Sequence, residues 1–273
     1  MVFDKEALFE EAVITVLKQH GWDDAGGVLR YPSKQDLIDN WAKILFQNNA
    51  DIDRLNGCPL TQGEMAQVIE QIETLKTPLA LNGFINGKTV AIMRDNPDDV
   101  LHLGKEVSLK IYDRQEIAAG QSRYQIAQQP VYPAKSKILN DRRGDLCLLI
   151  NGMPVIHIEL KRSGVPVSQA TGQIEKYAHE GVFTGLFRLV QIFVGMTPDE
   201  ARYFANPGAG AFNPNFYFHW EDFNNEPVCA GDKPGTGEWK RFTSTLLSIP
   251  MAHQLIGFYT VADSSDGCLK VMR

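Results

Sequence analysis

The chain has 273 residues, of which 44% are hydrophobic and 22% charged, ordinary material for one large globular domain or a domain with a substantial accessory layer. Its net charge of −6 has the wrong sign for a protein that grips a polyanion unaided, because affinity for a phosphate backbone comes mainly from Lys and Arg displacing counterions. No stretch nears the roughly 20 apolar residues of a membrane span, no signal peptide opens the chain, and Cys58, Cys147, Cys229 and Cys268 lie far apart without paired spacing, which argues against zinc and a disulfide framework.

Apolar periodicity predicts a first helix over residues 4 to 19, with Phe9, Val13, Ile14 and Leu17 inward. Helical spacing separates its two adjacent glutamates: Glu10 falls on the side of Val13, Ile14 and Leu17, and Glu11 aligns with Thr15 and Lys18 on the wet side. Two more helices are predicted over 33 to 50 and 61 to 76, punctuated by Asn56-Gly57 and Pro59. From about residue 84 the pattern turns to strands: Phe84-Ile85, Thr89 to Met93, Val107 to Tyr112, Tyr124 to Ala127, Asp145 to Ile150, Val155 to Lys161, Leu189 to Val194 and Arg202 to Phe204. One helix interrupts them at 168 to 181, with Ser168 as its N-cap and Gln169, Gln173 and Tyr177 at i, i+4 and i+8 on one face. A Gly/Pro/Asp loop from Ala230 to Gly237 follows, then helices near 239 to 248 and 250 to 258 and a terminal hairpin around Ser264 to Gly267. The class is α/β, with a mixed central sheet and no internal repeat.

The chemistry concentrates on one predicted hairpin. In Val155 to Lys161 the residues Ile156, Ile158 and Leu160 alternate with His157, Glu159 and Lys161, so a strand sends the apolar set into a core and Glu159 and Lys161 out together. Asp145 opens the preceding strand, and two carboxylates converging from neighbouring strands suit Mg²⁺, with waters and a substrate phosphate completing its shell. The two acids favour the ammonium form of Lys161, fitted to positioning water and stabilising a transition state. Register decides whether this works. A plain two-residue turn at Asn151-Gly152 pairs Ile150 with Met153 and Asp145 with Ile158, leaving Asp145 on the wrong face. A three-residue connection or a bulge is therefore expected. Lys135, Lys137, Arg142 and Arg143 before Asp145, and Arg162 after Lys161, collect positive charge nearby, although a solvated loop reads the same way. His157 shares the face of Glu159 and is read either as a neighbour of the site or as a packed or solvated histidine.

Asp145, the run from Ile158 to Arg162 and Gln173-Ile-Glu-Lys-Tyr177 closely resemble the nuclease domain of the restriction (R, motor) subunit of type I restriction enzymes, a branch of the PD-(D/E)xK superfamily with a Q-x-x-x-Y motif. The similarity extends to the first helix, to Gln191-Ile-Phe-Val194, to Glu200 through Asn206 and to the terminal Asp263 through Arg273, with residues 23 to 107 the least diagnostic. The resemblance implies a PD-(D/E)xK nuclease-like sheet flanked by helices, with an endonuclease domain over 1–222, an inserted helical segment at about 33–78, and a C-terminal helical linker over 223–273 leading to an ATP-driven motor outside this chain. It implies catalysis by Asp145, Glu159 and Lys161, and Mg²⁺ held by Asp145, Glu159 and the carbonyl of Leu160. Gln173 and Tyr177 would contact DNA or brace the catalytic strand, although Tyr177 also reads as a core aromatic, and Glu10 is the first-helix glutamate expected near the metal. Double-stranded DNA, the methylation and specificity subunits and the motor domains are the implied partners, the location is cytoplasmic, ATP serves only the motor, and the chain alone is expected to be inactive. A free-standing repair or recombination nuclease of the same fold and a non-catalytic docking module are the alternatives.

Overall fold

In the computed structural model, which describes residues 2–23, 27–112, 122–133, 141–208, 210–263 and 268–271, six strands make the central sheet: β1 (Val28–Arg30), β4 (Tyr124–Gln128), β7 (Leu146–Ile150), β8 (Met153–Leu160), β9 (Ile192–Met196) and β10 (Ala201–Ala205). They lie in the order β1-β4-β7-β8-β9-β10. β1 runs parallel to β4 and β8 parallel to β9, and the other neighbours are antiparallel. The sheet is thus mixed and the class α/β, as expected. The parallel step from β8 to β9 needs a crossover, which the helix α5 (Val167–Glu180) supplies. Gly195 of β9 lets α5 approach closely, since a Cβ there would stand 2.8 Å from Thr171 Cγ2.

The first helix, α1 (Glu6–Gln19), buries Phe9, Val13, Ile14 and Leu17 as its periodicity requires, and Glu10 with them. Helices α2 (Lys34–Asn48) and α3 (Gln62–Thr74) open on capping boxes at Ser33/Asp36 and Thr61/Glu64, which satisfy two orphan N–H groups at each start. Phe84-Ile85, expected as a strand, lies instead in a fourth helix, α4 (Pro78–Asn86). Thr77 caps that helix by accepting from Ala80 N–H, and Pro78 presets its first turn, so the Thr-Pro start outweighs a short apolar run. Ser168 lies inside α5, which begins one residue earlier behind Pro166. Leu189, expected to begin a strand, ends a 3₁₀ segment from Gly185, and β9 begins at Ile192.

The strands β2 (Thr89–Met93) and β3 (Glu106–Lys110) pair only with each other, outside the central sheet. A fully buried ion cluster ties them to α3: Arg94 donates to Glu64 at 2.6 Å and to Asp99 at 3.0 Å, and Glu64 also accepts from Asp95 N–H. Small ladders of β5 (Val131–Tyr132) with β6 (Arg142–Arg143) and of β11 (Trp220–Glu221) with β12 (Pro227–Val228) complete the middle of the chain. Beyond residue 222, the segment expected as a linker carries α6 (Glu238–Thr245), α7 (Ile249–Gly257) and the paired strands β13 (Thr260–Asp263) and β14 (Cys268–Val271). The expected turn at Ser264 to Gly267 lies outside the described residues. Trp239 of α6 meets Phe3 and Phe9 edge-on, with ring centroids 5.7 and 5.2 Å away, and Trp22 donates to the carbonyl of Leu247. α6 and α7 therefore share the main core.

Candidate active site

The hairpin of β7 and β8 solves its register with two devices. Asn151 and Gly152 form a two-residue turn with φ of 52° and 83°, and Ile150 pairs with Met153. A bulge opposite Leu148/Leu149 then inserts Val155, so that Leu146 pairs with Ile158. Extending that register by one step puts Asp145 opposite Glu159, and directly opposed residues share a sheet face. The tight turn and the bulge coexist, and the bulge restores the face that the turn alone would lose.

That face is not wet, in contrast to the expectation from alternation. Every residue of β8 is buried, because the strand lies in the middle of the sheet under α5. Glu159 has no accessible surface at all. Burial pushes its carboxyl up to about 8 against the lowering charge of Lys161. Burial and then the charge of Glu159 drive Asp145 well above the ordinary carboxylate range, although Asp145 Oδ2 accepts from Leu160 N–H at 2.6 Å. Neither oxygen of Glu159 has a hydrogen-bond partner among the described residues. His157 Nε2 stands 3.0 Å from Oε1, but out of line for a hydrogen bond.

Lys161 follows directly. Its Nζ donates to the carbonyl of Leu160 at 2.9 Å and to Glu6 of α1 at 3.2 Å. Glu10, one turn further along α1, instead accepts from Gln128 and Gln129, and burial raises its carboxyl. The first-helix carboxylate that meets the lysine is thus Glu6, which sequence reasoning passed over. Its signal is the i, i+4 spacing that puts Glu6 and Glu10 on one helix face. Gln173 donates to the hydroxyl of Tyr177 at 2.8 Å, and that hydroxyl donates to the carbonyl of Arg143 at 2.7 Å. Both residues therefore brace the backbone two residues before Asp145. Of the basic residues noted above, Arg142 pairs with Glu180 at 2.7 Å, Arg143 lies over the ring of Tyr31, and Arg162 is exposed. Lys135 and Lys137 lie outside the described residues.

The donor set suits a small divalent cation. Two converging carboxylates, one with both oxygens buried and unpartnered, are unstable together as anions unless protons or a cation intervene. Among the described residues no three His, Cys, Asp or Glu side chains gather as a cage. Mg²⁺ does not need one, since it keeps waters and takes phosphate oxygens. The Leu160 carbonyl has a second lone pair beside the one engaged by Lys161.

Comparison with known proteins points to the same family as the sequence resemblance. The family described as type I restriction enzyme R protein N terminus matches residues 4–211. The endonuclease subunit of a Staphylococcus saprophyticus type I restriction enzyme is 29% identical over all 273 residues, and one from Staphylococcus aureus is 25% identical over the same span. The endonuclease subunit of an Escherichia coli enzyme, EcoprrI, is 33% identical over 134 residues, 48% of this chain and 40% of that one. The chain spans 26% of the length of each staphylococcal relative.

Proposed function

The chain belongs to the family of type I restriction enzyme R protein N termini, and from that membership we propose that it is the Mg²⁺-dependent nuclease region of such a subunit, hydrolysing phosphodiester bonds of double-stranded DNA. The observation that carries this reading is the fully buried, unpartnered carboxylate of Glu159, with Asp145 opposite it on one sheet face.

Asp145 and Glu159 would hold the cation, with the Leu160 carbonyl as a third protein ligand. When bound, such an ion neutralises charge on the phosphate and lowers the pKa of an attacking water. Lys161, tethered by Glu6 and the Leu160 carbonyl, presents a positive charge beside the two acids, where it can orient water and offset charge developing on the phosphate oxygens. Gln173 and Tyr177 act through the backbone at Arg143 and keep Asp145 in place. In this reading the ATP-driven motor and the methylation and specificity subunits deliver DNA to the site in the cytoplasm, and cutting follows translocation. ATP is a cofactor of the motor alone.

The test is to place Asp145→Ala, Glu159→Ala and Lys161→Ala in the complete restriction enzyme and assay plasmid cleavage with Mg²⁺ and ATP. Each variant should stay folded, with an unchanged circular dichroism spectrum, and should lose cleavage by at least about a hundredfold, as removal of a transition-state stabilising group does. Parental cutting rates in any folded variant would remove that residue from the reaction.

A further inference from the structure

His157 and Tyr132 play no part in the reading above, yet they occupy its most enclosed corner. His157 has no accessible surface and is boxed by the rings of Phe183, Tyr132, Phe193 and Tyr177, with centroids 5.2, 5.9, 6.0 and 6.5 Å away. The Tyr132 hydroxyl lies 2.9 Å from His157 Nδ1. On the other side of the ring, Nε2 faces Glu159 Oε1 at 3.0 Å. Gly144 keeps the corner open: a Cβ there would stand 2.6 Å from His157 Cε1 and 2.9 Å from the Tyr132 hydroxyl.

We propose that His157 is a positioning residue for Glu159, accepting a hydrogen bond from Tyr132 O–H at Nδ1 and donating Nε2–H to Oε1, so that the other carboxylate oxygen is left for the cation. The proposal rests on the metal reading given above.

Three physical points carry it. Buried polar atoms are nearly always paired, and here neither Nε2 nor either oxygen of Glu159 makes a well-formed hydrogen bond, Asp145 being the other polar neighbour of the carboxylate. The last torsion of a glutamate is broad and two-fold, so a small rotation brings Oε1 into line with Nε2 without moving the boxed imidazole. The tautomer then follows from the chain of partners. An ionised Glu159 only accepts, so Nε2 must carry the proton, Nδ1 must accept, and the tyrosine hydroxyl is the group that supplies its proton to that bond. A histidine serving only as core filling needs neither the hydroxyl on one nitrogen nor a carboxylate on the other. Groups that orient metal ligands from behind typically change affinity by about ten- to a hundredfold when removed.

The experiment is Mn²⁺ titration by calorimetry of the purified chain and its His157→Phe, His157→Gln and Tyr132→Phe variants, with thermal melts of each metal-free protein and ¹⁵N NMR of the imidazole in the parent saturated with diamagnetic Mg²⁺, where Glu159 is ionised. His157→Phe should remain folded and lose affinity by about ten- to a hundredfold. His157→Gln, whose amide N–H can reach the place of Nε2–H, should recover part of the loss, and Tyr132→Phe should fall between. The spectrum should show Nε2 protonated and Nδ1 bare. Parental affinity in a folded His157→Phe, or an imidazole protonated at Nδ1, overturns the inference. Should His157→Phe unfold, Tyr132→Phe and the imidazole spectrum decide it on the same terms. A parent chain that takes up no Mn²⁺ would instead overturn the metal reading, and this inference with it.

Discussion

The three residues Asp145, Glu159 and Lys161 are legible because each is a charged interruption of an apolar strand, a pattern that survives without coordinates. Glu6 is not legible that way, because it sits in the first turn of α1 beside Lys5 and looks like an ordinary helix-start acid. Only the fold shows it against Lys161. The burial of Glu159 is equally invisible, since alternation separates two faces but does not say what covers the polar one. That burial has a measurable consequence. A carboxyl raised from 4.5 to about 8 in the folded chain binds its proton more tightly there than in the unfolded one. The stabilisation this gives is fully present below pH 4.5 and is lost as pH climbs to about 8. The metal-free chain should therefore weaken across that window, by up to about 1.4 kcal/mol per pH unit for one such group. Mg²⁺ takes the place of the proton, so the rise in melting temperature on adding Mg²⁺ should be larger at pH 8 than at pH 6. In Glu159→Gln both the pH slope and the Mg²⁺ effect should shrink. A Mg²⁺ effect of equal size at both pH values in the parent would disprove this account.

Among the elements, long amphipathic helices and apolar strands could be read from periodicity, and the failures have local causes. The strand β1 is three residues long, too short to show a period. The apolar character of Phe84-Ile85 suggests a strand, whereas the Thr77-Pro78 cap decides for a helix. The hairpin is the instructive case. Counting residues shows that a plain turn fails and that an extra residue is needed, but it does not show whether the turn or the strand supplies it. The chain keeps the tight turn and puts the extra residue in β8. Gly152 is what permits this: its φ is 83°, and a Cβ would stand 2.8 Å from the Cα of Trp41, backbone that cannot step aside. Asn151 tolerates its own positive φ while accepting from Arg123 N–H and donating to the Ile111 carbonyl. Gly152→Ala should accordingly cost about 2–5 kcal/mol, the sum of a left-handed backbone penalty and overpacking. Chemical denaturation is the measurement, and a loss under about 0.5 kcal/mol, typical of a neutral surface change, would show that the turn does not fix the hairpin.

For the whole molecule, the charge balance and the arrangement of the basic groups point the same way. The net charge is −6, and of the basic groups flanking Asp145 and Glu159, Arg142 is engaged by Glu180 and Lys161 by Glu6, while Arg143 lies over the Tyr31 ring and Arg162 is exposed. A phosphate backbone approaching this face must compete with those pairs, and it meets two carboxylates that repel it until a cation is bound. Exposed ion pairs contribute little to stability, about 0–1 kcal/mol each, but here they also lower the positive potential available to DNA. Non-specific binders reach dissociation constants of about 10⁻⁴–10⁻⁶ M at physiological salt by neutralising many phosphates at once. This chain should fall at or beyond the weak end of that range, and it should leave supercoiled plasmid largely uncut with Mg²⁺ unless other parts of the enzyme hold the DNA. Fluorescence anisotropy of a labelled duplex at about 150 mM salt, repeated at lower salt, reads both the affinity and the number of phosphates contacted. A weak Kd with a shallow salt slope is the expected result. Micromolar binding with a steep slope, together with efficient cutting by the isolated chain, would mean that the site gathers its own substrate and would favour a free-standing nuclease over a region that acts on DNA delivered to it.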